Sequence, residues 1–263
     1  MMAYWAILSA RFRALLQYRA AAAAGFGTQL FWGLIRVMIF GAFYQSSDAA
    51  QPMSYEDVVS YVWLGQAMIL LVLFRPDVEV QAMIRSGTVA YEMLRPLDVY
   101  SVWFTRAVAM RTAPVLLRAV PMFIVAGLLL GLKAPASPQA AFLWAISTAM
   151  AVLLSAAIGT LMTVSLLWTV AGDGIARLVP AATFILSGMI IPLPLFPDWA
   201  QPVLNFLPFR GLADVPFRLY TGHIPPAEGV AALAHQLAWT VALIALGRWL
   251  LARGTRRMVV QGG

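Results

Sequence analysis

The chain has no cysteine, two histidines and only eleven acidic residues among its 263. Without cysteine there can be no disulfide, thiolate metal site or thiol nucleophile. With acids so sparse and set mostly at the ends of apolar runs, a paired-carboxylate site or an acid-lined proton path has little material. His223 and His235 lie in segments that need not meet, and no HExxH or G-x-S-x-G pattern occurs. The chain also lacks a G-x-x-x-x-G-K-[ST] loop, so it cannot cradle ATP in that manner. Charged residues make up 11% of the sequence, against roughly 25% in a soluble domain.

Hydrophobic residues dominate instead, at 62%, and mean hydropathy is +0.81. About 20 apolar residues in a helix cross a hydrocarbon core about 30 Å thick. Six runs qualify: residues 20–44, 58–74, 107–132, 140–170, 176–191 and 230–251. The fifth is short and carries Pro180. None shows the dyad alternation or the short length of barrel strands. The expected fold is an all-α polytopic membrane protein, one domain over residues 1–263.

Basic residues orient it, because short loops rich in Lys and Arg stay on the cytoplasmic side. Arg11, Arg13 and Arg19 precede the first run, Arg75, Arg85, Arg95 and Arg106 lie within residues 75–106, and Arg253, Arg256 and Arg257 lie in the tail, 252–263. The opposite connections are poor in them: "SSDAAQPMSYED" has acids only and "KAPASP" contributes just Lys133. Both termini are therefore expected in the cytoplasm. Residues 1–19 place arginines after the apolar residues, unlike a signal peptide. On a helix, Trp5, Leu8, Phe12, Leu15 and Leu16 form a stripe flanked by Arg11 and Arg13, which predicts a helix lying in the headgroup plane.

Two connections carry more than a turn requires. In "QAMIRSGTVAYEMLRPLDVYS", residues 81–101, Gly87 suits a left-handed helix cap, Pro96 opposes α conformation at Arg95, and Asp98 is placed to N-cap the next helix. Between these stops Val89, Tyr91, Glu92, Met93, Leu94 and Arg95 make a compact mixed surface suited to a groove on a soluble partner. The competing reading is a solvated loop whose arginines only enforce topology. The second connection, residues 192–229, alternates prolines with aromatic and aliphatic residues. Pro192, Pro194, Pro197, Pro202 and Pro208 would break a regular span, which predicts short re-entrant or interfacial helices anchored by Trp199, Phe206 and Phe209.

In this order, with "IRSGTVAYEMLRPLDVY" between the second and third spans and "LSGMIIPLPLFPDWAQPVLNFLPF" after the fifth, the chain resembles the permease subunit of an ABC transporter of the ABC-2 exporter type. The resemblance covers nearly the whole sequence. It implies a cytoplasmic (inner) membrane location and a non-enzymatic, substrate-conducting role. It also implies a second permease chain, identical or related, and two separate ATPase chains that hold ATP and Mg. No cofactor is then expected on this chain. Residues 75–106 become the coupling segment, with Arg85, Gly87, Val89, Tyr91, Glu92, Met93, Leu94, Arg95 and Pro96 as the docking surface. Membrane lipid is the surrounding medium, and nucleic acid is not an expected partner.

Four polar residues inside apolar runs are candidates for the substrate pathway or for helix-to-helix hydrogen bonding: Arg36, Gln66, Arg118 and His235. A lone arginine near the bilayer centre costs about 2.5 to 3.5 kcal/mol on insertion scales, so Arg36 should face helices or a cavity unless it snorkels. Arg111 and Arg118 share a helix face beside Pro114 and Pro121, with Arg111 expected to snorkel. Gly25, Gly27, Gly33 and Gly41 read as close-packing positions. Aromatic and Met-rich composition favours an amphipathic substrate: drug-like, lipid or hydrophobic peptide. The rival reading is a self-contained secondary transporter or channel, but the halves show no matched broken helices.

Overall fold

A computed structural model describes residues 2–46, 50–73, 75–169 and 173–256, and among these every regular element is helical. Phe74, Val170 and Arg257, each part of a sequence expectation, lie outside the described residues. Eleven α-helices run in order: α1 (Met2–Leu15), α2 (Arg19–Ser46), α3 (Tyr55–Met68), α4 (Val78–Arg85), α5 (Ala90–Met93), α6 (Val99–Leu129), α7 (Pro138–Ser165), α8 (Asp173–Leu186), α9 (Gln201–Phe206), α10 (Asp214–Thr221) and α11 (Pro226–Thr255). Four of them, α2, α6, α7 and α11, are long and apolar enough to cross a membrane.

The second and fifth predicted runs fold differently from the others. α3 is 14 residues long, followed by a 3-10 turn at Ile69–Leu71, and every residue from Val58 to Met68 is buried. It forms the centre of the bundle, packed by α2, α6 and α10. A helix apolar on all sides belongs in a core or in lipid, and hydropathy alone does not separate the two. α8 is also 14 residues, and Pro180 sits inside it without ending it. The stop comes at Gly188, with φ +83°, where a Cβ would lie 2.5 Å from the Tyr61 hydroxyl.

Local sequence sets the other boundaries. Ser54, Asp77, Asp98 and Ser137 have extended backbones and accept from amides in the first turns of α3, α4, α6 and α7. Gly87, with φ +75°, follows α4 as its left-handed stop. α6 passes through Pro114 and Pro121 unbroken and begins eight residues earlier than its predicted span. Between α8 and α11 the chain makes short helices, as expected. Trp199 and Phe206 are exposed there, whereas Phe209 packs on the core.

Two apolar clusters organise the bundle. The larger joins α3, α6, α7 and α10 around Trp63, Tyr61, Met122, Leu154 and Phe217. The smaller lies at the Gly87 end, where Val80, Val89, Tyr100, Trp103, Val164 and Leu251 meet Tyr4 and Ile7 of α1. Trp5 is exposed, at the rim of a shallow groove that it shares with Tyr4, Leu8 and Phe104, while Tyr4 and Ile7 pack on the cluster itself.

Missing Cβ atoms admit large side chains between helices. The Arg111 guanidinium lies over Gly159, in the space that an added Cβ would take. Arg111 is buried, and its Nε donates to Ser155 Oγ at 2.8 Å, so it does not snorkel as its position suggests. Gly159→Ala should therefore displace a buried, bonded guanidinium and lower the melting temperature in detergent by roughly 5 °C, corresponding to about 1.5 to 3 kcal/mol for a hydrogen bond to a charged group. Gly127→Ala, on the same class of helix but with nothing within 4 Å, should leave it unchanged or slightly raised. Equal melting temperatures for the two variants would contradict this packing.

Candidate functional site

The Gly87 end is a clamped platform. Arg106 of α6 donates from Nε to Asp77 Oδ2 at 2.8 Å and from Nη2 to Asp77 Oδ1 at 3.1 Å. Arg106 also pairs with Glu79, which accepts Arg11 of α1 at 2.6 Å. The Asp77 amide donates to Thr163 Oγ1 of α7 at 3.1 Å. The start of α4 is thus tied to α1, α6 and α7 at once. Further along, the Trp103 indole donates to Glu92 Oε2 at 3.0 Å, and Arg95 lies 3.3 Å from Glu92 Oε1. Asp98 accepts from the Ser101 amide at 2.9 Å and pairs with Arg248 of α11 at 3.1 Å. Partial burial works to raise its pKa, but the bonds from Ser101 and Arg248 outweigh it and hold the carboxyl below its ordinary value.

Above this base the segment is open. Tyr91 is 69% exposed and Leu94 79%, with Arg85, Arg95 and Pro96 also exposed and Met93 half-buried. Val89 and Glu92, expected on the docking surface, turn inward instead: Val89 belongs to the Gly87-end cluster and Glu92 is only 7% exposed. Their work is to hold the tip in place. Four residues of helix do not define a face from sequence, so the inward pair could not be told from the outward one.

A second feature lies alongside α2. A cavity of about 1010 Å³ runs between α2, α3, α6, α8 and the segment after α8, open to the surface past exposed Trp32 and Ile39. Three of the four polar candidates line it: Arg36, Gln66 and Arg118. Arg36 Nη2 donates to the Ile190 carbonyl at 2.6 Å, and the Arg118 guanidinium occupies the space a Cβ on Gly25 would take. Gln29, passed over in the sequence, joins them. Its signal was available, since Gln29, Trp32, Arg36, Phe40 and Phe43 fall at helical spacing on one stripe of α2. The fourth candidate, His235, lies elsewhere: its Nε2 is 2.9 Å from the Phe206 carbonyl, which the Trp239 indole also reaches at 2.9 Å, fastening the end of α9 to α11.

The far end is closed by polar contacts among the loops. Lys133 meets Glu56 at 2.7 Å and Asp57 at 3.4 Å, and His223 Nε2 lies 3.1 Å from Asp57 Oδ2. The hydrogen bond to Glu56, with Asp57 beside it, raises the Lys133 pKa above its ordinary value. Among the described residues no cluster of His, Asp and Glu could hold a metal ion.

A helical bundle with four helices long and apolar enough to cross a membrane, a clamped polar platform at one end and a lateral cavity has the character of a membrane-embedded domain. The sequence matches the family described as ABC-2 family transporter protein over residues 30–262, and the chain belongs to that family. Neither the curated proteins nor the solved structures contain a match.

The buried position of Glu92 yields a test on the isolated chain. Glu92→Arg places a second cation beside Arg95 in a closed site and should lower the melting temperature markedly, by roughly 5 to 10 °C for the several kcal/mol of an unpaired buried charge. Glu92→Gln keeps an acceptor for Trp103 and should cost less. Leu94→Asp, at an exposed tip, should stay within about 0.5 kcal/mol of the unaltered chain. Thermal unfolding of the three variants decides it, and a Leu94→Asp loss as large as that of Glu92→Arg would contradict the assigned orientations.

Proposed function

We propose that this chain is the membrane-spanning permease of an ATP-driven exporter, coupled to separate ATPase chains through residues 75–106. The observation that carries the reading is the exposed pair Tyr91 and Leu94 on a base immobilised by Asp77, Arg106, Glu92 and Trp103. A solvated turn has no use for such a clamp, and exposed aromatic and aliphatic anchors beside arginines are what a packed protein interface uses. Membership of the ABC-2 family supports the same partner class.

On this reading α3 and α8, each continued by its following turn, complete six membrane segments. Both termini and the Gly87 end face the cytoplasm across the inner membrane. A second copy or a related permease completes the pathway, and two ATPase chains bind ATP and Mg, leaving this chain without catalysis or cofactor of its own. The substrate is amphipathic. A gradient-driven carrier would not need the clamped tip.

Two measurements test the proposal. In intact cells, Thr88→Cys should react with an impermeant maleimide only after the cytoplasmic side is exposed, and Ala227→Cys, just inside α11, should react from outside. External labelling at 88 would reverse the orientation. Tyr91→Asp and Leu94→Asp, at matched membrane levels, should reduce ATPase copurification and transport by about tenfold or more, because burying an unpaired charge in an interface costs several kcal/mol. Full retention of both would leave the segment as a topogenic loop.

A further inference from the structure

The lateral cavity contains buried hydrogen-bonding groups with nothing to bond. Gln29 is 5% exposed, and neither its side-chain nitrogen nor its oxygen has a partner among the described residues. Gln66 is 2% exposed and its side-chain oxygen is likewise unpartnered, as is Nε of Arg118. An amide left dry and unpaired costs about 1 to 3 kcal/mol, so unpartnered atoms on three side chains grouped around one gap call for an occupant that bonds to them.

Their spacing describes that occupant. The Arg118 guanidinium sits at Gly25, and Gln66 packs against Gly33, eight residues along the same helix. At 1.5 Å per residue these levels differ by about 12 Å, with Gln29 between them. Arg36 reaches the Gln66 level, since its Nη1 lies 3.7 Å from where a Cβ on Gly65 would be. Beyond this polar stretch the gap is lined by Ile39, Phe40, Phe43, Leu73 and Leu195. Among the described residues two guanidiniums line the cavity and no acidic residue does. The lining therefore matches a molecule with an anionic, acceptor-rich head and an apolar tail, and works against a cation.

We propose that this cavity binds an anionic amphiphile, its phosphate or carboxylate held at Arg118, the rest of an acceptor-rich head group lying along Gln29, Gln66 and Arg36, and its tail lying along Phe40 and Phe43. The opening past Trp32 and Ile39 lets such a molecule enter sideways from the bilayer without crossing water. The inference rests on the permease reading for its purpose, since the bound molecule is then the cargo, but not for its chemistry.

The test uses the full chain in dodecyl maltoside, without ATPase or nucleotide. In this cysteine-free background Gln29→Cys is modified by methyl methanethiosulfonate, and the rate is followed by mass. Phosphatidylglycerol should slow modification, whereas phosphatidylcholine with the same acyl chains and inorganic phosphate should not. Adding Arg118→Gln should raise the half-protecting phosphatidylglycerol concentration about tenfold, as expected for one bond to a charged group. Where that variant does not fold, Gln66→Leu on the Gln29→Cys background should raise it as well. Equal protection by both lipids, protection by phosphate alone, or indifference to the folded second variant would overturn the proposal. Because no ATPase is present, failure here leaves the permease reading standing, and intact protection with ATP-independent transport would sink only that reading.

Discussion

The bidentate contact between Arg106 and Asp77 is the constraint on which the Gly87 end depends. Asp77 is also the N-cap of α4, so one carboxylate fixes both where that helix begins and what it is fastened to. Glu79 extends the contact to α1 through Arg11, and the Asp77 amide extends it to α7 through Thr163. Removing one partner of a buried ion pair leaves the other uncompensated, which typically costs about 3 to 5 kcal/mol. Without this anchor the apolar contacts of Val80 and Val89 could not alone place the exposed tip, because they are non-directional.

A second constraint comes from the close packing of side chains between the helices. Several long polar and aromatic side chains cross between helices where a Cβ is absent: Arg118 at Gly25, Arg111 at Gly159, Trp63 at Gly33 and Tyr100 at Gly247. Gly25 and Gly33 are therefore receptacles for side chains, not sites of helix-to-helix backbone approach, and Gly27 faces open space. The same device yields opposite results for the two arginines. Arg111 finds Ser155 beside its receptacle and is satisfied, whereas Nε of Arg118 is left at the edge of the cavity without a partner.

Much of this was legible beforehand where the signal is local. Asp98 and Gly87 act as their positions predict, because caps need only neighbouring backbone, and the four long apolar runs fold as long helices. For α3, lipid and protein core select the same residues, and what the contacts with α2, α6 and α10 add is its place at the centre of the bundle. Arg111 and Arg118 share one face, with Arg111 expected to snorkel and Arg118 to serve the pathway or bond between helices, yet it is Arg111 that is buried and bonded. They diverge because a long side chain can turn to either flanking helix, and sequence does not reveal which neighbour supplies the gap. Glu92 was misjudged for a related reason: its inward bond depends on Trp103, eleven residues on, after a turn whose angle no propensity fixes.

α6 connects the two candidate sites. Trp103 and Arg106 hold the platform at one end of it, and Arg118 enters the cavity 12 residues beyond Arg106, about 18 Å along the axis. On the proposed reading, a push delivered at Tyr91 and Leu94 passes through the clamp into α6 before it reaches the cavity. Between the two stands Pro114, which has no amide to donate and crowds the carbonyl four residues back. That turn lacks a backbone hydrogen bond in an otherwise continuous helix, so on this reading displacement at the platform is taken up there, swinging the Arg118 half relative to Gly25. The guanidinium in the cavity would then be the first polar group to lose or gain its occupant when the platform moves.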